Sequence, residues 1–171
     1  MEVKEAIWGR RSVRRFQDRP IPVRDMELLM DALRWAPSAG NLQARRFFFI
    51  LDKQTRAAVA GASLAQMFIA TAPLVVVACA DMERISHYGA RGKNLYVIQD
   101  VAVAVENMML QAHELGLGST WVGAFDEAAV SGILDLPEWL VPMAVVPVGY
   151  PAGKPPSAPR RLEIDEIVTV I

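Results

Sequence analysis

A long, mostly apolar segment, Leu95–Leu115, places the strongest constraint on how this chain can fold. One helical stripe along it consists of Ile98, Val101, Val105, Met108, Ala112 and Leu115. Further apolar residues surround the stripe, so we expect a helix of about 30 Å that is buried on most sides. Such a helix lies at the centre of a domain or against a partner subunit. Asp100, Glu106 and Glu114 argue against a membrane-spanning segment.

Shorter patterns on both sides of this helix predict the remaining elements. We predict helices over Ile21–Ala36, Thr55–Ala70 with a break at Gly61, and Glu127–Leu134. We predict buried strands at Phe47–Leu51, Leu74–Ala80 and Met143–Val148, a strand at Thr120–Val122, and an edge strand at Ile164–Ile171. The polar residues of Asp81–Asn94 indicate an exposed loop, and Gly116 is placed to end the long helix in a left-handed conformation. Strands that alternate with helices favour an α/β fold or an α+β fold with a mixed sheet.

Composition excludes several classes of protein. Of 171 residues, 53% are hydrophobic and 22% are charged, which is typical of an ordered globular chain. A formal net charge of -1 provides no general attraction for nucleic acid or an acidic membrane. The charged N-terminus does not resemble a signal peptide, no run of about 18 apolar residues occurs, and Cys79 is the only cysteine. We therefore expect a cytoplasmic protein in which Cys79 is a buried, inert thiol.

Arginines are concentrated in the segment Arg10-Arg11-Ser12-Val13-Arg14-Arg15-Phe16. Guanidinium groups match phosphate oxygens two at a time, and a serine hydroxyl adds a short donor. The segment could equally be a solvated basic turn. A nucleic-acid patch is less favoured, because one short run within a mildly acidic chain lacks a basic face or stacking aromatic residues.

Two amide side chains follow in Ala36-Pro37-Ser38-Ala39-Gly40-Asn41-Leu42-Gln43, between a helix and a strand. Asn41 and Gln43 each carry a donor and an acceptor, and together they could read a flat ring edge that alternates C=O and N–H. The alternative is that serine, glycine and asparagine simply form a turn.

A third stretch is rich in glycine, Gly116-Leu117-Gly118-Ser119-Thr120-Trp121-Val122-Gly123-Ala124-Phe125. It follows a helix and lacks the GxGxxG spacing, so it is not a dinucleotide-binding fingerprint. Glycines allow the backbone to approach a ligand closely. A helix cap followed by a packed strand would explain Gly116 but not Gly118 and Gly123 together.

These three stretches, with Tyr88-Gly89-Ala90-Arg91-Gly92 and Val148-Gly149-Tyr150-Pro151, resemble in order and spacing the nitroreductase family of FMN-dependent oxidoreductases. The resemblance extends from Arg10 to Arg161. It implies an α+β fold with a central mixed sheet flanked by helices. It also implies an intertwined homodimer with two FMN sites at the subunit interface, so that residues 1–171 form one FMN-binding domain with 150–171 as an extended tail.

The resemblance also implies roles for individual residues. Arg10, Ser12 and one of Arg160 or Arg161 would hold the FMN phosphate, Arg11 would contact phosphate or ribityl, and Arg14 would lie near N1 and O2 of the ring. Asn41, with Gln43 beside it, would bind the pyrimidine edge. Pro37, Ser38 and Ala39 would come from the other subunit. Trp121 and Val122 would cover one ring face, and the backbone N–H of Gly123 would point at N5.

The implied reaction is a ping-pong transfer of hydride from NAD(P)H through flavin N5 to a nitroaromatic, quinone or similar small oxidant. The flavin supplies the chemistry, so we expect no catalytic side chain. His87 and His113 are isolated, and no metal site is predicted. The alternatives are a flavin-binding carrier or redox sensor without turnover, and a reductive dehalogenase or flavin-destroying relative on the same fold.

The chain departs from the family pattern in two places. Ala44-Arg45 stands where relatives often have proline and tryptophan, which affects contacts near the ring edge. Asp81–Asn94 is short, which leaves little room for the helical excursion that covers the pocket in longer members. His87 and Tyr88 in this segment are candidates for lining the pocket.

Overall fold

A central strand of small and β-branched residues organises the sheet in this computed structural model, which describes residues 1–171. Strand β2 (Leu74–Asp81) is buried along all but its last residue, as expected for a strand covered on both faces. It pairs with β1 (Arg45–Ile50) on one side and with β4 (Leu140–Gly149) on the other. The short β3 (Gly118–Ser119) completes the order β1-β2-β4-β3.

The four strands pair antiparallel, and a single parallel bridge joins Ser12 to Ser119 at the edge of β3. Helices cover both faces of the sheet, which confirms an α+β fold with a central sheet flanked by helices. The predicted mixed sheet is antiparallel in all its strand pairs, and the bridge at Ser12 is its one parallel contact.

The predicted long helix is present as α6 (Val97–Glu114) and lies on one face of the sheet with α2 (Val23–Arg34). Eight residues of α6 are buried, among them Val101, Val105 and Met108. The predicted stripe is wrong at its N-terminal end, because Ile98 is 46% exposed. Gly116 has φ 74° after the helix, so the predicted left-handed end is confirmed.

The opposite face of the sheet carries α3 (Lys53–Ala62), α4 (Phe68–Thr71) and α7 (Glu127–Ile133). The predicted helix over Thr55–Ala70 is therefore two helices. The break does not lie at Gly61, which stays inside α3. It follows Ala62, because Leu64 and Ala65 both adopt a left-handed conformation with φ 54°.

Two strand predictions need correction. Phe47–Leu51 is shifted, since β1 ends at Ile50, and its three phenylalanines are only half-buried because β1 is an edge strand. The predicted strand at Thr120–Val122 is reduced to one bridge between Val122 and Val145, and the paired strand precedes it at Gly118–Ser119.

The segment Asp81–Asn94 is not a simple exposed loop. It contains the 3₁₀ turn Arg84–Tyr88 and the helical turn α5 (Gly89–Arg91), followed by the π turn Gly92–Tyr96. Ile85 and Gly92 are buried, and a Cβ on Gly92 would lie 2.8 Å from the Ile85 oxygen. This close packing, which no polarity pattern reveals, orders the segment.

The predicted edge strand at Ile164–Ile171 is also wrong for the single chain. Ile164–Ile167 forms a short helix, α8, opened by a capping box between Glu163 and Glu166, and no strand pairing involves it. Every residue from Glu163 to Ile171 is exposed. Helix α1 (Val3–Gly9) lies at the other terminus. No helix of the chain has the length and apolarity that crossing a membrane requires.

Candidate functional site

The N-terminal arginine segment lies between helix α6 and the end of β3. Helix α1 ends at Gly9, where a Cβ would come within 2.5 Å of His113 Nε2, so only glycine allows this approach. The next residues run beside β3, where the Val13 N–H donates to the Ser119 oxygen over 2.9 Å. Gly118 packs equally closely, since a Cβ there would lie 2.6 Å from Val13 Cβ. The two sequence motifs therefore meet in space.

Three guanidinium groups surround one cavity of about 510 Å³, the arginine cavity. Arg10, Arg11 and Arg161 line it, and Glu106 is its only acidic residue. Arg10 Nε is buried without a hydrogen-bond partner, although it lies 3.5 Å from Glu106 Oε1. An excess of positive charge around the cavity, with one buried and unused donor, fits an anionic ligand such as a phosphate group.

A smaller cavity of about 220 Å³ lies on the other side of Arg10 and Arg11, towards His113 and Ser119. Burial lowers the pKa of His113, and the charges of Arg10 and Arg11 lower that pKa further. The imidazole is therefore held neutral, and the positive charge at this site comes from arginine alone.

Ser12 faces a separate cavity of about 220 Å³, which it shares with Arg14, Arg15 and Lys154. Arg14 also lies 5.9 Å from the centroid of the Phe68 ring. Ser12 and Arg10 are therefore neighbours in sequence that line different cavities. Of the two C-terminal candidates, Arg161 lines the arginine cavity and Arg160 does not.

The predicted ring-edge residues lie in a turn of unusual backbone conformation. Gly40, Asn41 and Gln43 have φ of 54°, 54° and 51°, a region that residues with a Cβ seldom occupy. The Ser38 hydroxyl oxygen accepts from the Gln43 N–H at 2.9 Å, which supports the turn locally. Asn41, Gln43 and Pro37 line one cavity of about 370 Å³, so both amides face the same space.

Two charged residues that hold this turn were not predicted as site residues. The Asp100 Oδ1 accepts from the Ala39 N–H at 2.9 Å. Arg45 Nη1 donates to the main-chain oxygens of Pro37 at 2.8 Å and of Asp100 at 2.9 Å, and Arg45 Nη2 donates to the main-chain oxygen of Ala36. A sequence signal for Asp100 exists: it is a carboxylate on the buried face of an apolar helix, where an unpaired charge is costly.

The predicted ring-face residues lie along the main chain after β3. Trp121 is 39% exposed, and Gly123 is exposed. Val122 is buried and exchanges two main-chain hydrogen bonds with Val145 at 2.9 Å. Thr120 Oγ1 is buried and has no hydrogen-bond partner.

Within one chain, the three motifs do not line a single cavity. The arginine segment and the segment after β3 are adjacent, whereas the cavity at Asn41 and Gln43 shares no residue with the arginine cavity. Tyr88 contacts the turn at Gly40, and His87 lies 5.2 Å from Tyr88, ring centroid to ring centroid.

Other reactive side chains lie away from these cavities. Cys79 is fully buried in β2, and burial raises the pKa of its thiol to about 12. No three histidine, cysteine or carboxylate side chains are grouped as a metal ion would require.

Comparison with known proteins identifies the class of this chain. The profile of the nitroreductase family matches residues 7–81 and 62–150. The chain is 30% identical to an NADH dehydrogenase of Thermus thermophilus, over 98% of this chain and 95% of that protein. It is 25% identical to an FMN reductase (NAD(P)H) of Bacillus subtilis, over 93% of this chain and 70% of that protein.

Structural comparison agrees with the sequence matches. A nitroreductase family protein from Clostridium difficile 630 superimposes with a TM-score of 0.88 at 32% identity, over 99% of this chain and 98% of that chain. The chain therefore belongs to the nitroreductase family, which confirms the family predicted from its motifs.

Proposed function

We propose that this protein is an FMN-dependent oxidoreductase that transfers electrons from NAD(P)H to a small organic oxidant. The observation that carries the proposal is the arginine cavity, which is lined by Arg10, Arg11 and Arg161 and by a single carboxylate, Glu106. In a chain of this family, a phosphate group is the natural counter-ion for such a cluster. The FMN reductase of Bacillus subtilis supports the choice of cofactor.

At the phosphate end, Arg10 would donate from its unpartnered Nε, and Arg161 would reach the same anion from the tail. Arg11 Nη1 is already bound to the main-chain oxygens of Trp8 at 2.7 Å and Arg10 at 2.8 Å, so it would act mainly through its charge. Ser12 and Arg14 would contact the ribityl and N1–O2 regions from the neighbouring cavity. Arg160 is assigned no contact.

At the ring end, Asn41 would bind the pyrimidine edge with Gln43 beside it. Trp121 and Val122 would cover one ring face, and the Gly123 N–H would be directed at N5. Because these groups do not share a cavity within one chain, we propose that Pro37, Ser38 and Ala39 come from a second copy. The active species is then a homodimer of one domain per chain, with residues 150–171 as its tail.

Bound FMN would supply reversible hydride acceptance and thereby couple donor and oxidant. The protein's part is to bind and orient. A fixed cation at Arg14 would favour negative charge on the N1–O2 side, and an exposed ring face would admit donor and oxidant in turn.

The decisive experiment compares binding of FMN with binding of riboflavin, which lacks the phosphate. We expect yellow purified protein, or protein that becomes yellow with FMN. Arg10→Ala should weaken FMN binding by roughly ten- to hundredfold, the loss of one charge-assisted hydrogen bond, while riboflavin affinity changes little. Arg24→Ala, which removes an exposed arginine in α2, is the matched control.

Protein that stays colourless after incubation with FMN would falsify the proposal. Protein that binds FMN but oxidises NADH and NADPH no faster than free flavin would indicate the carrier or sensor alternative. Turnover with nitrofurazone, quinones and halogenated phenols then separates nitroreduction from dehalogenation.

A further inference from the structure

The turn that carries Asn41 and Gln43 is poorly supported by its own sequence. Three of its residues adopt left-handed conformations, and two of them, Asn41 and Gln43, carry a Cβ that disfavours this region. Its local hydrogen bonds are two main-chain bonds of a single 3₁₀ turn, from the Asn41 and Leu42 N–H groups at 3.0 Å, the Ser38–Gln43 contact at 2.9 Å, and two long contacts of 3.4 Å from the Gln43 amide to Asn41. A turn of this kind persists only when its surroundings fix it.

Asp100 supplies one such fixed point from helix α6. The residue is 5% exposed and sits among the apolar side chains that form the buried face of the helix. A carboxylate is costly there unless it is hydrogen-bonded. Its one hydrogen bond within the chain goes to the turn, from the Ala39 N–H at 2.9 Å.

Arg45 supplies the second fixed point from strand β1. Its guanidinium group donates to the main-chain oxygens of Ala36, Pro37 and Asp100, and thereby joins the start of the turn to the helix. The rigid fork of arginine presents several donors at once and reaches all three oxygens, whereas an ammonium group is a single compact charge. Partial burial lowers the pKa of the Arg45 guanidinium, and the negative charge of Asp100 offsets part of that effect.

We propose that Arg45 and Asp100 are positioning residues that hold the Pro37–Gln43 turn so that its two amides meet the flavin ring edge. This inference rests on the proposed function. The clamp formed by these two residues acts on the ring end only, because neither residue lines the arginine cavity.

The test uses Arg45→Met, with Arg46→Met as its matched control. Both substitutions remove one guanidinium from β1, but the Arg46 side chain is exposed over the Phe48 ring and makes no hydrogen bond to the turn. We expect Arg45→Met to weaken FMN and riboflavin binding by the same factor, roughly tenfold or more, and Arg46→Met to change neither more than twofold.

Three further readouts separate positioning from stability alone. In Arg45→Met the visible band of bound flavin should move towards that of free flavin, and the amides of residues 38–43 should exchange hydrogen faster. Arg45→Lys should give an intermediate affinity, and it carries the same test if Arg45→Met does not fold. Asp100→Asn keeps an acceptor for the Ala39 N–H, so it should weaken flavin binding less than Arg45→Met does.

Unchanged affinity for both flavins and an unchanged spectrum in Arg45→Met, with faster exchange of the turn, would overturn the inference and leave the proposed function intact. A larger loss for FMN than for riboflavin would also overturn it, since that result places the effect at the phosphate end. Wild-type protein that binds neither flavin would instead reject the proposed function and the clamp with it.

Discussion

At the scale of single residues, three of the four buried polar atoms without a hydrogen-bond partner lie in or behind the candidate site, and the fourth, in Arg56, lies in α3. Arg10 Nε, Arg56 Nε, Asp100 Oδ2 and Thr120 Oγ1 lack hydrogen bonds, and such atoms are uncommon in folded proteins. Arg10 and Thr120 belong to motifs that the sequence singles out. Asp100 could be predicted to need a partner but not which one, because its contact lies 61 residues away.

His113 provides a prediction of pH dependence. Its pKa is lowered from the ordinary value of 6.5, by burial first and then by Arg10 and Arg11. The unfolded chain therefore binds a proton at a higher pH than the folded chain, so this contribution to stability is present above pH 6.5 and declines as the pH falls below it. Between pH 7 and pH 5, roughly the titration range of histidine, the melting temperature should fall less in His113→Gln than in the wild type.

The control for this experiment is His87→Gln, because His87 is exposed in the segment after β2. Thermal unfolding followed by circular dichroism at pH 7, 6 and 5 measures the difference. A His113→Gln variant whose stability follows the wild-type pH profile would contradict the assignment.

At the scale of elements, hydrophobic periodicity predicts those helices and strands whose burial follows from the local sequence. The sequence predicts the long helix and the strand at Leu74, because the apolar residues along each segment indicate that it is buried. The half-buried state of β1 and the helical turns between Asp81 and Asn94 depend on neighbours distant in sequence, so no local pattern contains them. The break after Ala62 depends on backbone strain at Leu64 and Ala65, which ordinary residue preferences do not predict.

The junction between the arginine segment and β3 gives a prediction at this scale. In Gly118→Ala the new Cβ would lie 2.6 Å from Val13 Cβ, so the two segments must separate. We expect a loss of about 1–3 kcal/mol in the free energy of unfolding, as for other overpacked sites, together with weaker FMN binding.

Gly132→Ala is the matched control for this substitution. Gly132 lies within α7 with no atom near its missing Cβ, so alanine should be neutral or stabilise the protein by about 0.5–1 kcal/mol. Urea unfolding of both variants decides the matter, and equal stability of the two would contradict the close contact at Gly118.

At the scale of the whole molecule, the exposed tail is the feature that a single chain leaves unexplained. Leu162, Ile164 and Ile167 are 61%, 75% and 66% exposed, beside the acidic Glu163 and Asp165. A group of large apolar side chains exposed to this extent usually marks an interface. Strand β1 has one unpaired edge and carries the exposed Arg46, whose charge is complementary to that of the tail, which supports a second copy as the partner.

We therefore expect a dimer that depends on the tail. Deletion of residues 162–171, or the double substitution Ile164→Ala and Ile167→Ala, should shift the protein towards monomer and lower its FMN content. Asp165→Ala, a polar residue of the same helical turn, is the control and should leave the dimer largely in place. Sedimentation equilibrium at micromolar concentration measures the change, and a wild-type monomer would contradict the proposed assembly.

The bridge between Ser12 and Ser119 has a further consequence for the behaviour of the protein in a crowded cell. An uncovered sheet margin offers free main-chain donors and acceptors to any extended peptide, which is a route to aggregation. Here the N-terminal segment occupies the outer side of β3 through the Val13 N–H and the Ser119 oxygen. The segment proposed to bind the cofactor phosphate thus also covers the outer edge of β3. Loss of order in this segment should therefore increase the tendency of the protein to precipitate.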